Sequence, residues 1–241
     1  MIDSKNVKLV AFDLDGTLTQ HRTKLSEEHR LILEKLSKKY KLVMVGAGQC
    51  RRIFEQMNRF PIDIIGNYGL QYAKYIPEKE DIEMVYDLTL PCNREDCEKK
   101  VTYLREKYGF TKFTGDNVEY HSSGCVTFPV LGTKANIEDK VAFDPDRKKR
   151  RAFYPEVKEL FSEYNVFVGG SSSFDMSPRP YNKYYALDKY CEENGILHSE
   201  AVFVGDDWGE GGNDESVYLS DFNFITIDNY LDFPERIKIL L

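Results

Sequence analysis

The sequence predicts an α/β fold in which an α+β domain is inserted into a core with a parallel sheet. Short apolar runs of strand length alternate with helical segments near the N-terminus, which is typical of βαβ units. From about residue 71 the segments instead alternate apolar and polar residues, as half-exposed antiparallel strands do. The first pattern then returns towards the C-terminus. Both ends of the chain are therefore expected to build the core.

The first part of the core is predicted to alternate strands and helices. Ser26 is a suitable N-cap for the first helix, because Leu31, Ile32 and Leu36 follow it at helical spacing. In chain order the segments are the strand "VKLVAFD", the helix "LSEEHRLILEKLSKKY", the strand "KLVMVGA", the helix "CRRIFEQMNRF" and the strand "IDIIGN".

The inserted domain is predicted to occupy residues 86–179, between core segments 1–85 and 180–241. One helix is expected to begin after the N-cap Asn93 and to end near Gly109. The half-exposed strands from about residue 71 onwards are "QYAKYI", "EMVYDLTL", "VEYHSSGCVTFPV" and "NVFVGGSSSFDMS", and a second helix lies near "YPEVKELFSEY". The core resumes with the helix "NKYYALDKYCEEN", stopped by Gly195, the strands "AVFVGDD" and "FNFITID", and a final "FPERIKILL".

Composition restricts the classes of partner. The 241 residues are enough for one large domain or two modest ones. A formal net charge of -7 argues against nucleic acids and anionic membranes as partners, since both are bound by basic surfaces. No apolar stretch approaches the ~20 residues of a membrane span, and no signal peptide is evident, so we expect a cytoplasmic protein. The five scattered cysteines indicate neither a disulfide framework nor a zinc site.

Asp13 and Asp15 in "FDLDGT" follow the first predicted strand, at the sheet edge where open α/β sheets bind their ligands. Two carboxylates there could hold Mg²⁺ through oxygen atoms. Alternatively, one could be a nucleophile while the other moves protons. A third interpretation is an Asp-Gly turn closed by a side-chain hydrogen bond. The two residues alone do not decide among these interpretations.

A second acidic group follows a late strand in "VFVGDDWGEGGNDE". A parallel sheet can place the ends of two strands side by side, which would gather Asp13, Asp15 and Asp206 around one hard cation, preferably Mg²⁺. The spacing of an EF-hand calcium loop is absent. A merely solvated acidic loop is the alternative.

These segments carry a family resemblance. "FDLDGT", Lys183 in "YNKYYAL" and "GDDWGEGGND" resemble the haloacid dehalogenase (HAD) superfamily of phosphotransferases in order and spacing. The resemblance implies a Rossmann-like core, and the insertion falls where the type IIB (Cof-like) cap of that superfamily lies. Within the group the chain is most similar to eukaryotic-type phosphomannomutases, through "FDLDGTLTQHR", "GNYGL", "GGSSSFDMSP", "NKYYAL" and "GGNDE".

The resemblance implies catalytic roles that the chemistry of the residues supports. Asp13 would attack phosphorus to form an aspartyl-phosphate, and Asp15 would act as general acid and base. Mg²⁺ would be held by the Asp13 carboxylate, the Asp15 carbonyl and Asp206. Lys183 would offset the negative charge of Asp13 and of the phosphoryl group. Residues implied around them are Asn213 and Asp214 as outer supports of the metal, Gly16, Ala47, Gly48 and Gln49 for phosphate, and Arg22, Lys140, Ser173 and Asp175 for substrate.

The phosphate loop departs from the family pattern. HAD enzymes usually carry serine or threonine after the second core strand, where this chain has Gly48. The backbone N–H groups of "GAGQ" are expected to hold the phosphoryl oxygen instead. The segment "GAGQCR" is a poor match to a dinucleotide-binding loop, because Arg51 replaces the third glycine of that loop and the segment follows the second strand.

The cap departs as well. Phosphomannomutases bind the distal phosphate with cap arginines, and this chain has Ser122, Thr133 and Lys140 at three such positions. The run "DRKKRR" could supply replacements, although such a run is typically a solvated helix face. The leading hypothesis is therefore an Mg²⁺-dependent phosphatase of a small phosphorylated metabolite, in particular a sugar phosphate. A phosphohexomutase is the alternative and a non-catalytic sugar-phosphate sensor the third; a monomer or homodimer is expected.

Overall fold

The computed structural model describes residues 2–241, and the elements within them follow the predicted alternation. The strands are β1 Leu9–Phe12, β2 Lys41–Val45, β3 Asp63–Gly66, β4 Gln71–Ile76, β5 Asp81–Asp87, β6 Glu119–Tyr120, β7 Val126–Pro129, β8 Tyr164–Phe167, β9 Ser173–Pro178, β10 Ala201–Gly205 and β11 Asn223–Thr226. The helices are α1 Glu27–Ser37, α2 Cys50–Gln56, α3 Arg94–Tyr108, α4 Ile137–Phe143, α5 Lys148–Arg151, α6 Tyr154–Leu160, α7 Lys183–Asn194, α8 Glu215–Tyr218 and α9 Phe233–Arg236. No helix within residues 2–241 is long and apolar enough to span a membrane.

The core sheet has seven strands in the order β11-β10-β1-β2-β3-β4-β5. The first five in this order pair in parallel, which confirms a parallel sheet built from both ends of the chain. β4 and β5 add to its edge as an antiparallel hairpin. All four residues of the central β1 are fully buried, as expected of an apolar strand covered on both faces.

Contacts divide the chain into two units. The core unit contains the chain up to Leu88, Asn182–Gly209 and Asp214–Leu241, and the cap unit contains Thr89–Tyr181 and Glu210–Asn213. The sequence prediction placed the junctions after residue 85 and after residue 179. Sequence patterns did not anticipate the segment Glu210–Asn213, because four residues inside a loop carry no periodicity.

The cap unit contains a four-stranded antiparallel sheet in the order β6-β7-β9-β8. Its own apolar core includes Phe128, Phe161 and Phe174, all fully buried. Helix α3 begins and ends as predicted: the Asn93 side chain accepts a hydrogen bond from the Asp96 N–H at 3.2 Å, and Gly109 ends the helix with φ 75°. The structure thus confirms an α+β insertion.

The run "DRKKRR" is not a uniformly solvated helix face, and that expectation was wrong for Arg150. Its side chain is fully buried, and its Nε donates to Asp144 Oδ2 at 2.9 Å. Its Nη1 donates to the backbone carbonyls of Gly169 and Ser173. A guanidinium tolerates burial here because its fork of donors meets a carboxylate and several carbonyls at once. Arg150 therefore ties α5 to the loop before β9.

Replacing Arg150 by methionine is expected to lower the free energy of unfolding by about 3–5 kcal/mol, because the buried Asp144 carboxylate loses its charged partner. Urea unfolding followed by circular dichroism measures this change. Lys148→Met is the matched control, since the Lys148 side chain in the same run is 82% exposed and pairs with the exposed Asp146. Equal unfolding midpoints for the two variants would contradict the structural role of Arg150.

Candidate active site

The ends of β1 and β10 bring two distant acidic segments together. The strands pair in parallel with Phe12 beside Val204, and the Asp13 N–H donates to the Val204 carbonyl at 2.9 Å. Asp13 and Asp206 therefore leave the sheet at the same edge. This is the arrangement that the two apolar strands and their following carboxylates predict.

Three carboxylates meet one lysine at this edge. Asp13, Asp206 and Asp214 each offer an oxygen atom, and these oxygens lie within 4.8 Å of one another. Lys183 Nζ donates to Asp13 Oδ1 and to Asp214 Oδ1, each at 2.7 Å. Lys183 and Asp214 are fully buried, and Asp13 is 6% exposed. If all four groups are ionised, the cluster carries two uncompensated negative charges.

The start of α7 fixes the position of Lys183. The Asn182 side chain accepts a hydrogen bond from the Tyr185 N–H at 2.8 Å, so it caps the helix whose first residue is Lys183. The apolar face of α7, including Leu187, packs against the core sheet. The ammonium group is thus held by a capped helix end and by two carboxylates.

The donor set fits a hard divalent cation. Carboxylate oxygens are the ligands that Mg²⁺ prefers, and two uncompensated negative charges match its charge. The three side chains include Asp214, which sequence analysis placed outside the metal's ligands. The family resemblance implies that Asp15 contributes its carbonyl oxygen to the metal. The Asp15 carboxylate accepts from the Arg22 N–H and from Gln56 Nε2.

The electrostatics of the cluster reflect crowding of like charges. Burial, followed by the charges of Asp13 and Asp214, raises the pKa of Asp206 to about 8. Burial also raises the pKa of Asp214 to about 6, against the opposing effect of Lys183. Burial lowers the pKa of Lys183, but the two neighbouring carboxylates outweigh it, so the net shift is upwards. A bound cation would replace the protons that these carboxylates otherwise retain.

Metal-free protein is expected to lose stability as the pH rises towards about 8. The pKa of Asp206 is higher in the folded state than in the unfolded chain, so the folded state binds the additional proton. Its stabilising effect is complete below the unfolded pKa and disappears as the pH rises through the folded one. Mg²⁺ should therefore raise the thermal midpoint more at about pH 8 than at about pH 6. Equal shifts at the two pH values would contradict this account.

Gly16 is required by the close approach of Asp206. Gly16 has φ 101°, and a Cβ atom there would lie 2.4 Å from Asp206 Oδ2. The Thr17 hydroxyl donates to Asp206 Oδ1 at 2.7 Å. The Gly16 N–H, predicted to contact phosphate, donates to the Thr19 carbonyl at 2.8 Å. The structure therefore connects Gly16 with the position of the Asp206 carboxylate.

The loop after β2 retains free donors. Among residues 2–241, no acceptor is bound by the backbone N–H groups of Ala47, Gly48 and Gln49. The Asn67 N–H donates to the Gly48 carbonyl at 2.8 Å and so helps to fix the loop. These three amides can thus donate to an anion, and their role in binding phosphate stays a prediction.

The Asp15 carboxylate accepts hydrogen bonds from three residues, two of which, Arg52 and Gln56, were not predicted to belong to the site. Its Oδ1 accepts from the Arg22 N–H at 2.7 Å and from Gln56 Nε2 at 2.6 Å, while Oδ2 accepts from Arg52 Nη1 at 3.2 Å. Burial raises the pKa of Asp15, but these hydrogen bonds and the Arg52 charge outweigh it and lower the pKa overall. Asp15 therefore rests as a carboxylate.

The remaining predicted substrate residues belong to the cap unit. Asp175 Oδ1 accepts from the hydroxyls of Ser173 at 3.4 Å and Thr127 at 3.1 Å, and burial raises the pKa of Asp175. Lys140 is separate from this pair, since its Nζ donates to the Thr133 carbonyl at 3.1 Å. Asn213, the predicted outer support of the metal, is also part of the cap unit.

A parallel-sheet core of this topology with an inserted antiparallel cap defines the HAD superfamily fold. An HAD superfamily phosphatase from Bacteroides thetaiotaomicron is 18% identical with a TM-score of 0.59, covering 97% of this chain and 95% of that one. An IMP-nucleotidase from Plasmodium falciparum is 14% identical with a TM-score of 0.67, covering 97% and 68%. At these identities the likeness concerns the fold alone.

The family model described as eukaryotic phosphomannomutase matches residues 29–235. The chain therefore belongs to the eukaryotic phosphomannomutase family. It is 28% identical to a phosphomannomutase of Saccharomyces cerevisiae over 96% of this chain and 92% of the relative. It is 26% identical to a phosphomannomutase of Spinacia oleracea over 90% and 89%. These findings confirm the resemblance drawn from the motifs.

Proposed function

We propose that this protein is an Mg²⁺-dependent phosphohexomutase that transfers phosphoryl groups of sugar phosphates through an aspartyl-phosphate on Asp13. The observation that carries the proposal is the buried Lys183, paired with Asp13 and Asp214 beside Asp206. A carboxylate nucleophile, a counter-cation and two further carboxylates at one sheet edge are the components that such chemistry needs.

In the proposed reaction, an oxygen atom of Asp13 forms a bond to phosphorus while the bond from phosphorus to the sugar oxygen breaks. The reverse half-reaction returns the phosphoryl group to a sugar hydroxyl and regenerates the Asp13 carboxylate. Asp15 takes the proton of the attacking hydroxyl in that half-reaction, which suits its ionised resting state. It gives the proton to the leaving sugar oxygen when Asp13 is next phosphorylated.

The charge arrangement supports both half-reactions. Asp13, Asp206 and Asp214 are the side chains that would hold Mg²⁺, together with the Asp15 carbonyl oxygen. The ion, when bound, would stabilise negative charge on the phosphoryl oxygens as a Lewis acid. Lys183 Nζ lies 2.7 Å from Asp13 Oδ1. Its positive charge reduces the repulsion between this carboxylate and an incoming phosphate.

The relatives favour a mutase over the phosphatase that sequence analysis put first. Those reported above are named phosphomannomutases, and the family model carries the same description. A specific observation keeps hydrolysis as the second candidate. At one cap position where the family resemblance implies arginine, the Thr133 hydroxyl donates to Asp116 Oδ2 at 3.0 Å. Another such position, Lys140, contacts the Thr133 carbonyl.

Phosphorus NMR on a panel of hexose monophosphates separates these functions. The protein is incubated with Mg²⁺ and each sugar, including mannose 1-phosphate, with a hexose bisphosphate as phosphoryl donor. Conversion of the 1-phosphate to the 6-phosphate is expected and supports the mutase. Release of inorganic phosphate as the main product supports the phosphatase instead. Saturable binding of sugar phosphate without turnover would overturn both and support the sensor.

A further inference from the structure

Arg52 covers the loop that sequence analysis assigns to phosphate. A Cβ atom at Gly48 would lie 2.0 Å from Arg52 Nη2 and 2.6 Å from its Cζ. The guanidinium thus occupies the space that a side chain at position 48 would enter. A larger residue at position 48 would therefore displace the Arg52 guanidinium.

The Arg52 guanidinium uses one nitrogen atom, Nη1, for hydrogen bonds within the protein, and its other two nitrogen atoms can donate to a ligand. Its Nη1 donates to Gln56 Oε1 at 2.8 Å and to Asp15 Oδ2 at 3.2 Å. Within the described part of the chain, its Nε and Nη2 groups donate no hydrogen bond. The side chain is 45% exposed, so a small anion can reach these two groups.

We propose that Arg52 is a phosphoryl-binding residue whose guanidinium replaces the hydroxyl that HAD enzymes usually present from position 48. This inference rests on the proposed function, because it concerns the same transferred group. An arginine provides a fixed positive charge and paired donors, which suit two oxygens of a phosphoryl group. Although position 48 has glycine in place of a hydroxyl residue, the site keeps an anion-binding side chain, that of Arg52.

Inorganic phosphate is the probe, in the presence of Mg²⁺. Its affinity is measured as a product-inhibition constant and, independently, by the shift of the thermal midpoint with phosphate concentration. Arg52→Ala is expected to weaken phosphate binding by about tenfold or more, since it removes a charged donor. Arg51→Ala is the matched control, because Arg51 is on the same helix, is 52% exposed and pairs with Asp81 at 2.5 Å. This control should bind phosphate as the wild type does.

A double variant tests the replacement itself. Gly48→Ser alone is expected to weaken phosphate binding, because the new side chain displaces the guanidinium. The same substitution in the Arg52→Ala background should strengthen binding relative to Arg52→Ala, because the space is then empty and a hydroxyl enters it. This reversal of sign is the expected signature of one site shared by the two side chains.

The outcomes separate this inference from the proposed function. A wild type that converts sugar phosphates, with Arg52→Ala binding phosphate as well as Arg51→Ala does, would overturn the inference alone. Reduced turnover of Arg52→Ala with unchanged phosphate affinity would also overturn it, because Arg52 would then act only by positioning Asp15. A wild type that neither turns over sugar phosphates nor binds phosphate would overturn the proposed function itself.

Discussion

Asp13→Asn is expected to reduce turnover by more than about a thousandfold, because an amide cannot replace a carboxylate as the nucleophile. The fold should survive the change, since Lys183 keeps its ion pair with Asp214. Removing one of three crowded carboxylates also relieves repulsion in metal-free protein. The thermal midpoint without Mg²⁺ is therefore expected to stay constant or to rise while activity disappears.

Steady-state assays on the preferred hexose phosphate measure this effect. Asp81→Asn is the control, since it makes the same chemical change in the same unit at a carboxylate that pairs with Arg51 outside the cluster. It should keep the activity of the wild type. Retention of more than about a tenth of the activity by Asp13→Asn would show that another group is the nucleophile.

Lys183→Met is expected to remove both stability and activity. It leaves buried carboxylates without their counter-cation, which should cost about 3–5 kcal/mol of unfolding free energy. For a chain of this size that corresponds to a fall of roughly 6–20 °C in the thermal midpoint of metal-free protein. Mg²⁺ should restore part of the loss, because it supplies positive charge to the same oxygens.

Two further variants make the result specific. Lys189→Met is the matched control, since Lys189 is on the same helix, is 45% exposed and pairs with the exposed Glu192. It should unfold as the wild type does. Adding Asp214→Asn to Lys183→Met should recover stability but not turnover, because charge balance improves while the counter-cation stays absent. Equal midpoints for Lys183→Met and Lys189→Met would contradict the role given to the lysine.

Local sequence rules predicted the parts of the fold that depend on neighbouring residues. The N-caps Ser26 and Asn93 and the helix end at Gly109 need only a few adjacent positions to be recognised. The parallel sheet followed from apolar runs of strand length. Helices α4 and α8 were missed, and the burial of Arg150 depends on carbonyls about twenty residues further along the chain. No local pattern signals such a contact.

The same distinction applies to the site. Asp13 and Asp206 were predictable because the ends of parallel strands meet at one edge of the sheet. The position of Asp214 depends on the conformation of the loop after β10. In this loop the Asp214 carboxylate accepts from the Asp207 N–H at 3.0 Å. Arg52 and Gln56 belong to no motif, although their spacing of four residues places both on one side of α2, and their contact with Asp15 is long-range.

Detection of a phosphorylated Asp13 tests the central claim most directly. The protein is mixed with Mg²⁺ and a hexose bisphosphate, quenched in acid and digested, and the peptide that contains Asp13 is examined by mass spectrometry, with Asp13→Asn as the blank. We expect one phosphoryl group on Asp13 in the wild type, which disappears when sugar monophosphate is added as acceptor. Turnover without phosphorylation of Asp13, or with the phosphoryl group on another residue, would contradict the account.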